Sequence, residues 1–390
     1  MQPFLSRRRF LQGTAAVGAA TALGACTDDP QPSADPTTTG APPSPTAKGT
    51  LVLVTLYGGN DALNTVVPID DPAYARQRGA LALTPDAVHP LDDGFALHPA
   101  LGRTAGLWAD DRLAIVHGVG FEGLDRSHFH CMDEWQSAGE DHTSGWLGRW
   151  LDRAGDDPTD AIVVGRQLPL LARGQQRSAS VVPAGPFALP GDAAVRSGLE
   201  RLADGDRPPL EALVAGSGAD LLRVADAVGP LVAAAAEDDT LTGRLGTVAT
   251  LIEADLPTRA YAVDLDGFDT HANQLATHAA LLGELDAALG DFLGRMGARP
   301  VTVVVYSEFG RRVVPNDSGG TDHGAAGTLL LAGHVRGGHH GEPSPLDRLA
   351  DGDLVTTTDF RSVYGGLLED VLGVPARDVL TAPPAPLALV

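Results

Sequence analysis

Carboxylate and imidazole side chains occur in four separated stretches of the chain, each shortly after a run of apolar residues. The residues concerned are Asp61, Asp269 with His271, Glu308, and His323. Oxygen and imidazole ligands suit divalent cations such as Zn, Mn, Mg or Ca, and because no thiolate accompanies them a structural zinc site is disfavoured. The residue types therefore predict a site for one or two divalent metal ions.

Continuous apolar, largely β-branched runs predict strands that are buried on both faces, at 51–57, 113–117, 261–265, 301–307 and 328–332. Amphipathic patterns at 99–109, 127–138 and 272–296 predict the helices between them. This alternation is typical of an α/β fold with a mainly parallel central sheet flanked by helices. Ligands of such sheets bind beyond the carboxyl ends of the strands, so the four stretches are expected to meet at one edge.

The middle of the chain, residues 155–255, has a different composition. It is rich in Ala, Asp, Gly and Leu, and it contains Pro in its turns. Helices are predicted at 192–203, 218–236 and 240–254. We interpret this segment as a helical, lid-like insertion in an α/β domain that spans 49–390.

Each candidate ligand also has a purely structural interpretation. Asp61 and Asp269 would cap the helices that follow them. Glu308 would be solvated after its strand, and His323 would form a hydrogen bond within its loop. The recurrence of such residues at one predicted sheet edge favours the metal site over four unrelated roles.

Four motifs carry a resemblance to a known family. They are the sequences YGGND at 57–61, DGFDTH at 266–271, SEFGR at 307–311 and GTDHG at 320–324. Together they resemble a twin-arginine-exported family, domain of unknown function 1501, which is itself similar to the alkaline phosphatase and sulfatase superfamily. The resemblance covers about residues 50–375 in motif order, and it implies an alkaline phosphatase-like fold with that superfamily's metal chemistry.

The resemblance also implies roles for individual residues. Asp61 looks like the first-strand aspartate that binds one metal ion, whereas Asp269, His271 and His323 look like the ligands of the other. Glu308 falls where the phosphatases have an Asp-His pair. Because Phe309 follows it here, the second metal site lacks an imidazole, and Arg311 would supply charge there instead.

The superfamily's nucleophile lies at the start of a helix after the second strand, where this chain has Arg126 and Ser127. A hydroxyl at a helix N-terminus beside a cation is activated by a lowered pKa, so Ser127 is the candidate nucleophile. The alternative is that Ser127 only caps the helix. His128 and His130 are open to acid, base, ligand or structural roles.

The N-terminus has the features of an export signal. Paired arginines at 7–9 precede Phe10 and Leu11, and a short Ala- and Gly-rich stretch follows. These features predict a twin-arginine signal peptide at 1–25, and hence the twin-arginine translocase as a partner during export. Cys26 ends a lipobox-like sequence and would carry a lipid, although ordinary cleavage near Ala25 would leave it free. Residues 26–48, rich in Pro, Thr and Ser, predict a flexible tether that holds an extracytoplasmic domain near the membrane.

The composition restricts the class of partner. Of 390 residues, 28 are Lys or Arg and 50 are Asp or Glu, which gives a formal net charge of −22. Affinity for a phosphate backbone depends mainly on Lys and Arg, so a nucleic-acid partner is disfavoured. Hydrophobic residues make up 43% of the chain, enough for a sizeable core.

These observations predict an exported, metal-dependent hydrolase of phosphate or sulfate esters, acting on a small-molecule or envelope substrate. The metal would polarise the ester oxygens while Arg126 or Arg311 stabilises equatorial charge in the transition state. One alternative is a non-catalytic envelope binding or scaffold protein that retains the fold. Another is a transferase of phospho groups in the envelope.

Overall fold

The structure is a computed structural model that describes residues 48–139, 141–189, 193–203, 205 and 208–390. The predicted signal peptide at 1–25, Cys26 and the tether up to residue 47 lie outside the described residues. The described part belongs to one unit, Ser44–Val390. None of its helices has the length and apolarity that a bilayer span requires.

Strands and helices alternate along the described chain. The strands are β1 (Thr50–Leu56), β2 (Val66–Val67), β3 (His89–Pro90), β4 (Ala96–Leu97), β5 (Leu113–Gly120), β6 (Ala161–Val164), β7 (Ser180–Val182), β8 (Ala260–Leu265), β9 (Val301–Ser307), β10 (Gly327–Gly333), β11 (Gly338–His340) and β12 (Thr358–Asp359). The α-helices are α1 (Ala62–Thr65), α2 (Pro72–Arg78), α3 (Gly102–Ala109), α4 (His128–Ser137), α5 (Trp146–Ala154), α6 (Ala193–Ala203), α7 (Pro209–Val232), α8 (Leu241–Glu253), α9 (Gln274–Met296) and α10 (Phe360–Gly366).

Nine of the described strands form one mixed sheet in the order β11-β5-β10-β9-β1-β8-β6-β7, with β12 also paired to β5. β1 is central, with β8 and β9 parallel to it on either side. The prediction of an α/β fold with a mainly parallel sheet flanked by helices is confirmed. Helices return the chain between parallel strands, so the carboxyl ends of β1, β8 and β9 share one edge.

Strand β10 departs from the predicted parallel arrangement, because it is antiparallel to both β9 and β5. The connection after β9 explains the difference: it contains no crossover helix, and it returns the chain to the sheet beside the strand it has just left. Consequently the whole connection 308–326 stays at the carboxyl edge of the sheet.

The sheet is buried on both faces by side chains that alternate along each strand. In β1, Val52 and Val54 face one core, which the apolar side of α8 and α9 completes. Leu51 and Leu53 face a second core, which contains Trp135 of α4 and aromatic residues of α5 and α10. This two-sided burial explains why β1 is an unbroken apolar run, and it fixes the sheet edge as a rigid base for loops.

The segment 155–255 contains the predicted helices as α6, α7 and α8, with α7 starting earlier than predicted. It also contributes β6 and β7, which the sequence analysis did not predict and which extend the central sheet beside β8. These strands have four and three residues, too short for a periodic pattern to emerge. The segment is therefore partly built into the sheet.

Candidate metal centre

Three histidines and one aspartate converge at the carboxyl edge of the sheet. Nε2 of His323 lies 2.9 Å from Nε2 of His271 and 3.1 Å from Nε2 of His128. Oδ1 of Asp269 lies 3.0 Å from Nε2 of His323, 3.0 Å from Nε2 of His271 and 3.5 Å from Nε2 of His128. We call these four residues the convergent group.

The second ring nitrogen, Nδ1, of each of these histidines faces an acceptor outside the group. The acceptors are Oε1 of Glu308 at 2.8 Å from His128, Oδ1 of Asp322 at 3.2 Å from His271, and the main-chain oxygen of Arg126 at 2.9 Å from His323. Carboxylate and carbonyl oxygens only accept, so each Nδ1 donates its proton outward. Each Nε2 therefore presents a lone pair to the interior of the group.

This donor set fits a divalent cation. Three nitrogen lone pairs and a carboxylate oxygen repel one another at such distances unless positive charge lies between them. Metal-binding histidines commonly donate their other N–H to a carboxylate or a backbone carbonyl. Zinc ligands at bond lengths of about 2.0–2.1 Å stand roughly 3.3 Å apart in a tetrahedron. The five separations that involve His323 or Asp269 are 2.9–3.5 Å, close to that value. His128, Asp269 and His323 form the set in which every ligand atom lies within 4.8 Å of the other two.

Two loops carry three members of the convergent group, and backbone hydrogen bonds join these loops. The loop after β8 bears Asp269 and His271, and the connection from β9 to β10 bears His323. Two hydrogen bonds run between them. The amide of Thr321 donates to the carbonyl of Thr270 at 3.2 Å, and the amide of Gln274 donates to the carbonyl of Gly319 at 3.0 Å. The fourth member, His128, is the first residue of α4.

Gly58 allows the loop after β1 to approach the loop that carries Asp269. Gly58 has φ of 120°, and a Cβ atom there would lie 2.3 Å from the main-chain nitrogen of Asp269. Only glycine adopts this conformation readily at such close approach. The amide of Gly58 donates to Oε1 of Glu308 at 2.8 Å, which connects the β1 loop to the end of β9.

Arg311 holds the loops together from beneath. Its side chain is fully buried and donates to the main-chain oxygens of Gly59 at 2.8 Å, Thr321 at 2.9 Å and Phe268 at 2.9 Å, as well as to that of Gly58. It also donates to Oδ1 of Asp269 at 2.6 Å. The guanidinium is thus engaged in positioning three loops, rather than directed outward as the sequence-based role in charge stabilisation requires.

The charges of the group follow from these contacts. Burial by itself raises the pKa of Asp269, but the hydrogen bond and positive charge of Arg311, together with the adjacent imidazoles of His323 and His271, outweigh it and lower the pKa to about 2. The hydrogen bond to Glu308 raises the pKa of His128, and burial opposes this shift. Asp269 is therefore ionised at neutral pH, as a metal ligand must be.

The structure does not bring Asp61 into the convergent group. Its carboxylate is buried and accepts hydrogen bonds from the guanidinium of Arg78 and the side-chain amide of Gln274. Asp61 directly precedes α1, but its side chain makes no capping hydrogen bond. Arg78 lies 17 residues after Asp61 in the chain, and no spacing in the sequence indicated that the two would form an ion pair.

Glu308 lies behind His128 rather than among the converging atoms. Its side chain is 1% exposed, Oε1 accepts from His128 and Gly58, and Oε2 accepts from the hydroxyl of Ser307 at 2.9 Å. It orients the imidazole of His128. The sequence analysis left the role of His128 open, because a histidine at a helix start has no distinctive pattern.

Ser127 is the N-cap of α4, and its Oγ accepts from the amide of His130 at 3.5 Å. The preceding Arg126 has φ of 62° and forms an ion pair with buried Asp353. Burial raises the pKa of the neighbouring Cys131 thiol to about 12, so this cysteine behaves as a small apolar residue.

The fold and this site define an α/β protein with a candidate metal centre. Residues 48–363 match the family described as protein of unknown function (DUF1501), and the chain belongs to that family. Residues 5–24 match the twin-arginine translocation pathway signal, which confirms the prediction of export across the cytoplasmic membrane. No match was found among curated proteins.

Several solved structures are similar to the chain at low sequence identity. The structure of Ps i-CgsB in complex with k-i-k-neocarrahexaose is 11% identical over 86% of this chain and 75% of that one, with a TM-score of 0.40. The C-terminal periplasmic domain of EcEptC from Escherichia coli, in complex with Zn, is 10% identical over 75% and 77%, with a TM-score of 0.39. A protein in the alkaline phosphatase superfamily from Vibrio parahaemolyticus is 9% identical over 85% and 67%, with a TM-score of 0.35. At these TM-scores, the likenesses establish no activity for the chain.

Proposed function

We propose that the exported chain is a metal-dependent hydrolase of phosphate or sulfate esters, with the metal bound by the convergent group. The observation that carries the proposal is the orientation of three histidines, each with Nδ1 donating outward and Nε2 facing Oδ1 of Asp269. Nitrogen-rich ligation of this kind favours Zn over Mg or Ca. A cation bound there would polarise an ester oxygen and lower the pKa of a nearby hydroxyl or water.

Ser127 is the proposed nucleophile. Its hydroxyl caps a helix of ten residues, and the next residue, His128, belongs to the convergent group. The positive end of a helix stabilises a developing alkoxide, so this position lowers the barrier to deprotonation. Ser127 is also half-buried, which limits competing water.

A groove of about 570 Å³, lined in part by Arg126, the residue before Ser127, would receive the organic part of the ester. Apolar side chains of Phe121, Leu124, Ala325 and Leu354 contribute to its lining, together with Arg126. Ala325 lies two residues after His323, so the groove and the convergent group share the connection from β9 to β10.

Arg126 supports this arrangement as a positioning residue. Its main-chain oxygen accepts from Nδ1 of His323, while Asp353 holds its guanidinium. Transition-state charge would be stabilised mainly at the convergent group, because the guanidinium groups of Arg126 and Arg311 are both paired with carboxylates.

The same pairing favours a second candidate function, a metal-binding envelope protein without turnover. Oxyanion recognition commonly uses bidentate arginine contacts, and Arg311 is buried and saturated with main-chain and carboxylate acceptors.

For either function we propose that Cys26 carries a lipid and anchors the exported domain to the membrane. Incorporation of labelled palmitate that is lost in a Cys26→Ala variant would support the anchor, and equal incorporation would exclude it.

Turnover of an aryl phosphate and an aryl sulfate, measured with and without Zn or Mn, tests the hydrolase. We expect metal-dependent turnover that falls at least about 100-fold in His323→Ala and in Ser127→Ala. His334→Ala is the matched control, because His334 is exposed and follows β10 at the opposite edge of the sheet.

Metal binding without turnover of either ester would favour the second candidate. Turnover that is the same in His323→Ala and His334→Ala would contradict the hydrolase proposal, since the activity would then not depend on the convergent group. Loss of turnover in Ser127→Ala with its metal content unchanged, alongside the loss in His323→Ala, would identify the hydroxyl of Ser127 as the attacking group.

A further inference from the structure

A second set of ligand-type side chains lies on another face of α4. His130 and Glu134 belong to the helix, and His142 belongs to the loop that follows it. One ligand atom from each residue lies within 4.8 Å of the other two. Nε2 of His142 lies 2.8 Å from Oε1 of Glu134, and the rings of His130 and His142 meet edge to face with centroids 5.8 Å apart.

Helical spacing explains how these residues come together and why they stand apart from the convergent group. His130 and Glu134 are four positions apart, so they lie on one face of α4 about one turn from each other. His128 is two positions before His130, and a helix turns by about 200° over two residues. Its imidazole therefore faces the sheet edge, whereas His130 faces the loop.

The chemistry of the trio matches a cation site with open coordination positions. Two imidazoles and one carboxylate form a ligand set that proteins use for zinc when a further position is left for water. The side chains of Glu134 and His142 are 21% and 30% exposed, so an ion can enter while each ligand keeps a defined orientation. The formal net charge of −22 also raises the local concentration of cations.

We propose that His130, Glu134 and His142 bind a divalent, zinc-type cation at a second site that is separate from the convergent group. The ion displaces the proton between His142 and Glu134 and fastens the loop before α5 to α4. Since α4 starts at His128 and is capped by Ser127, this attachment holds the helix that presents both residues. The site does not depend on any catalytic activity.

Zinc stoichiometry of purified protein after equilibrium dialysis tests the proposal. The wild-type protein is expected to bind two equivalents, and the His271→Ala/His323→Ala variant is expected to keep one. Adding His142→Ala to that double variant should remove the remaining equivalent, as should adding Glu134→Gln. Asp133→Asn is the matched control, because it removes a carboxylate from the same helix without touching the trio.

A thermal measurement gives a readout that does not rely on counting metal. Excess zinc should raise the Tm of His271→Ala/His323→Ala by about 5 °C, and addition of His142→Ala should abolish that shift. Circular dichroism confirms that each variant is folded, and Glu134→Gln provides an isosteric alternative if His142→Ala is not.

The possible outcomes separate the two sites. One equivalent that survives loss of His271 and His323 but disappears with His142 supports the second site, even if the convergent group binds nothing. Zinc content and Tm that are insensitive to both His142→Ala and Glu134→Gln would overturn the proposal and leave a hydrogen bond between the loop and α4 as the only role of these residues.

Discussion

Nδ1 of His323 lies 2.9 Å from the main-chain oxygen of Arg126, a residue 197 positions earlier in the chain. This hydrogen bond ties the connection from β9 to β10 to the residue two before α4. Arg126 is itself fixed by its left-handed backbone and by its ion pair with Asp353. The imidazole orientation is therefore set by the fold before any ligand binds, which reduces the entropy lost on binding.

Substitution of Glu308 tests whether the hydrogen bonds that the Nδ1 atoms donate outside the convergent group affect metal affinity. In Glu308→Gln, the amide keeps the size of the side chain but holds His128 through a weaker, neutral hydrogen bond. We expect the affinity for Zn to fall about 10- to 100-fold, as measured by competition with a chromophoric chelator. Glu342→Gln serves as the control, because Glu342 is exposed. Equal affinities in both variants would contradict the orienting role.

Substitution of Arg311 tests how much its hydrogen bonds to the loops contribute to the stability of the fold. Lysine cannot reproduce the forked donors of a guanidinium, so Arg311→Lys would leave buried carbonyls of Gly58, Gly59 and Phe268 short of partners. The free energy of unfolding in urea should fall by about 3–5 kcal/mol. The neighbouring Arg312→Lys, at a partly exposed site, should cost less than about 1 kcal/mol. Similar losses of unfolding free energy in the two variants would show that the hydrogen bonds of Arg311 to the loops are not needed for stability.

Substitution of Asp61 tests whether this residue is structural or a metal ligand. Asp61→Asn leaves Arg78 buried without its counter-charge, so we expect a loss of about 3–5 kcal/mol of unfolding free energy. Because Asp61 is bound by Arg78 and Gln274, the number of bound metal ions should not change. Elemental analysis checks this. Loss of one ion in a folded Asp61→Asn protein would restore the ligand role that the family resemblance implies.

Buried His117 makes stability depend on pH. Burial, followed by the charges of His339 and His340, lowers the pKa of His117 from its ordinary value of 6.5 to about 3. The folded state keeps this imidazole neutral while the unfolded chain protonates it, so its contribution is present above pH 6.5 and is lost as the pH falls. Between about pH 7 and pH 5, stability should decrease by about 2 kcal/mol from this group.

Urea unfolding of the wild type and His117→Gln at both pH values checks that expectation. Glutamine removes the titrating ring, so the variant should lose about 2 kcal/mol less than the wild type on acidification. Buried histidines that do not act on His117, such as His98 and His278, contribute equally to both proteins and cancel in the difference. Parallel pH profiles for the two proteins would mean that His117 is protonated equally in the folded and unfolded states.

The sequence was sufficient to predict the main strands, because β1 and β9 bury both faces and so appear as unbroken apolar runs. It also predicted that Asp269, His271 and His323 would lie near one another. It could not predict the reversal of β10, whose apolar residues suit either direction. The partnership of Asp61 with Arg78 was equally hidden, because a buried ion pair depends on tertiary packing that no local spacing records.

The reversal of β10 has a consequence for how this protein can diversify. Both ends of the connection 308–326 are fixed in adjacent, registered strands, so the segment that carries His323 behaves as a closed hairpin. Loops that leave the neighbouring strands can grow or shrink without shifting that register. Descendants of the chain can therefore vary those loops while inheriting the same hairpin that carries His323.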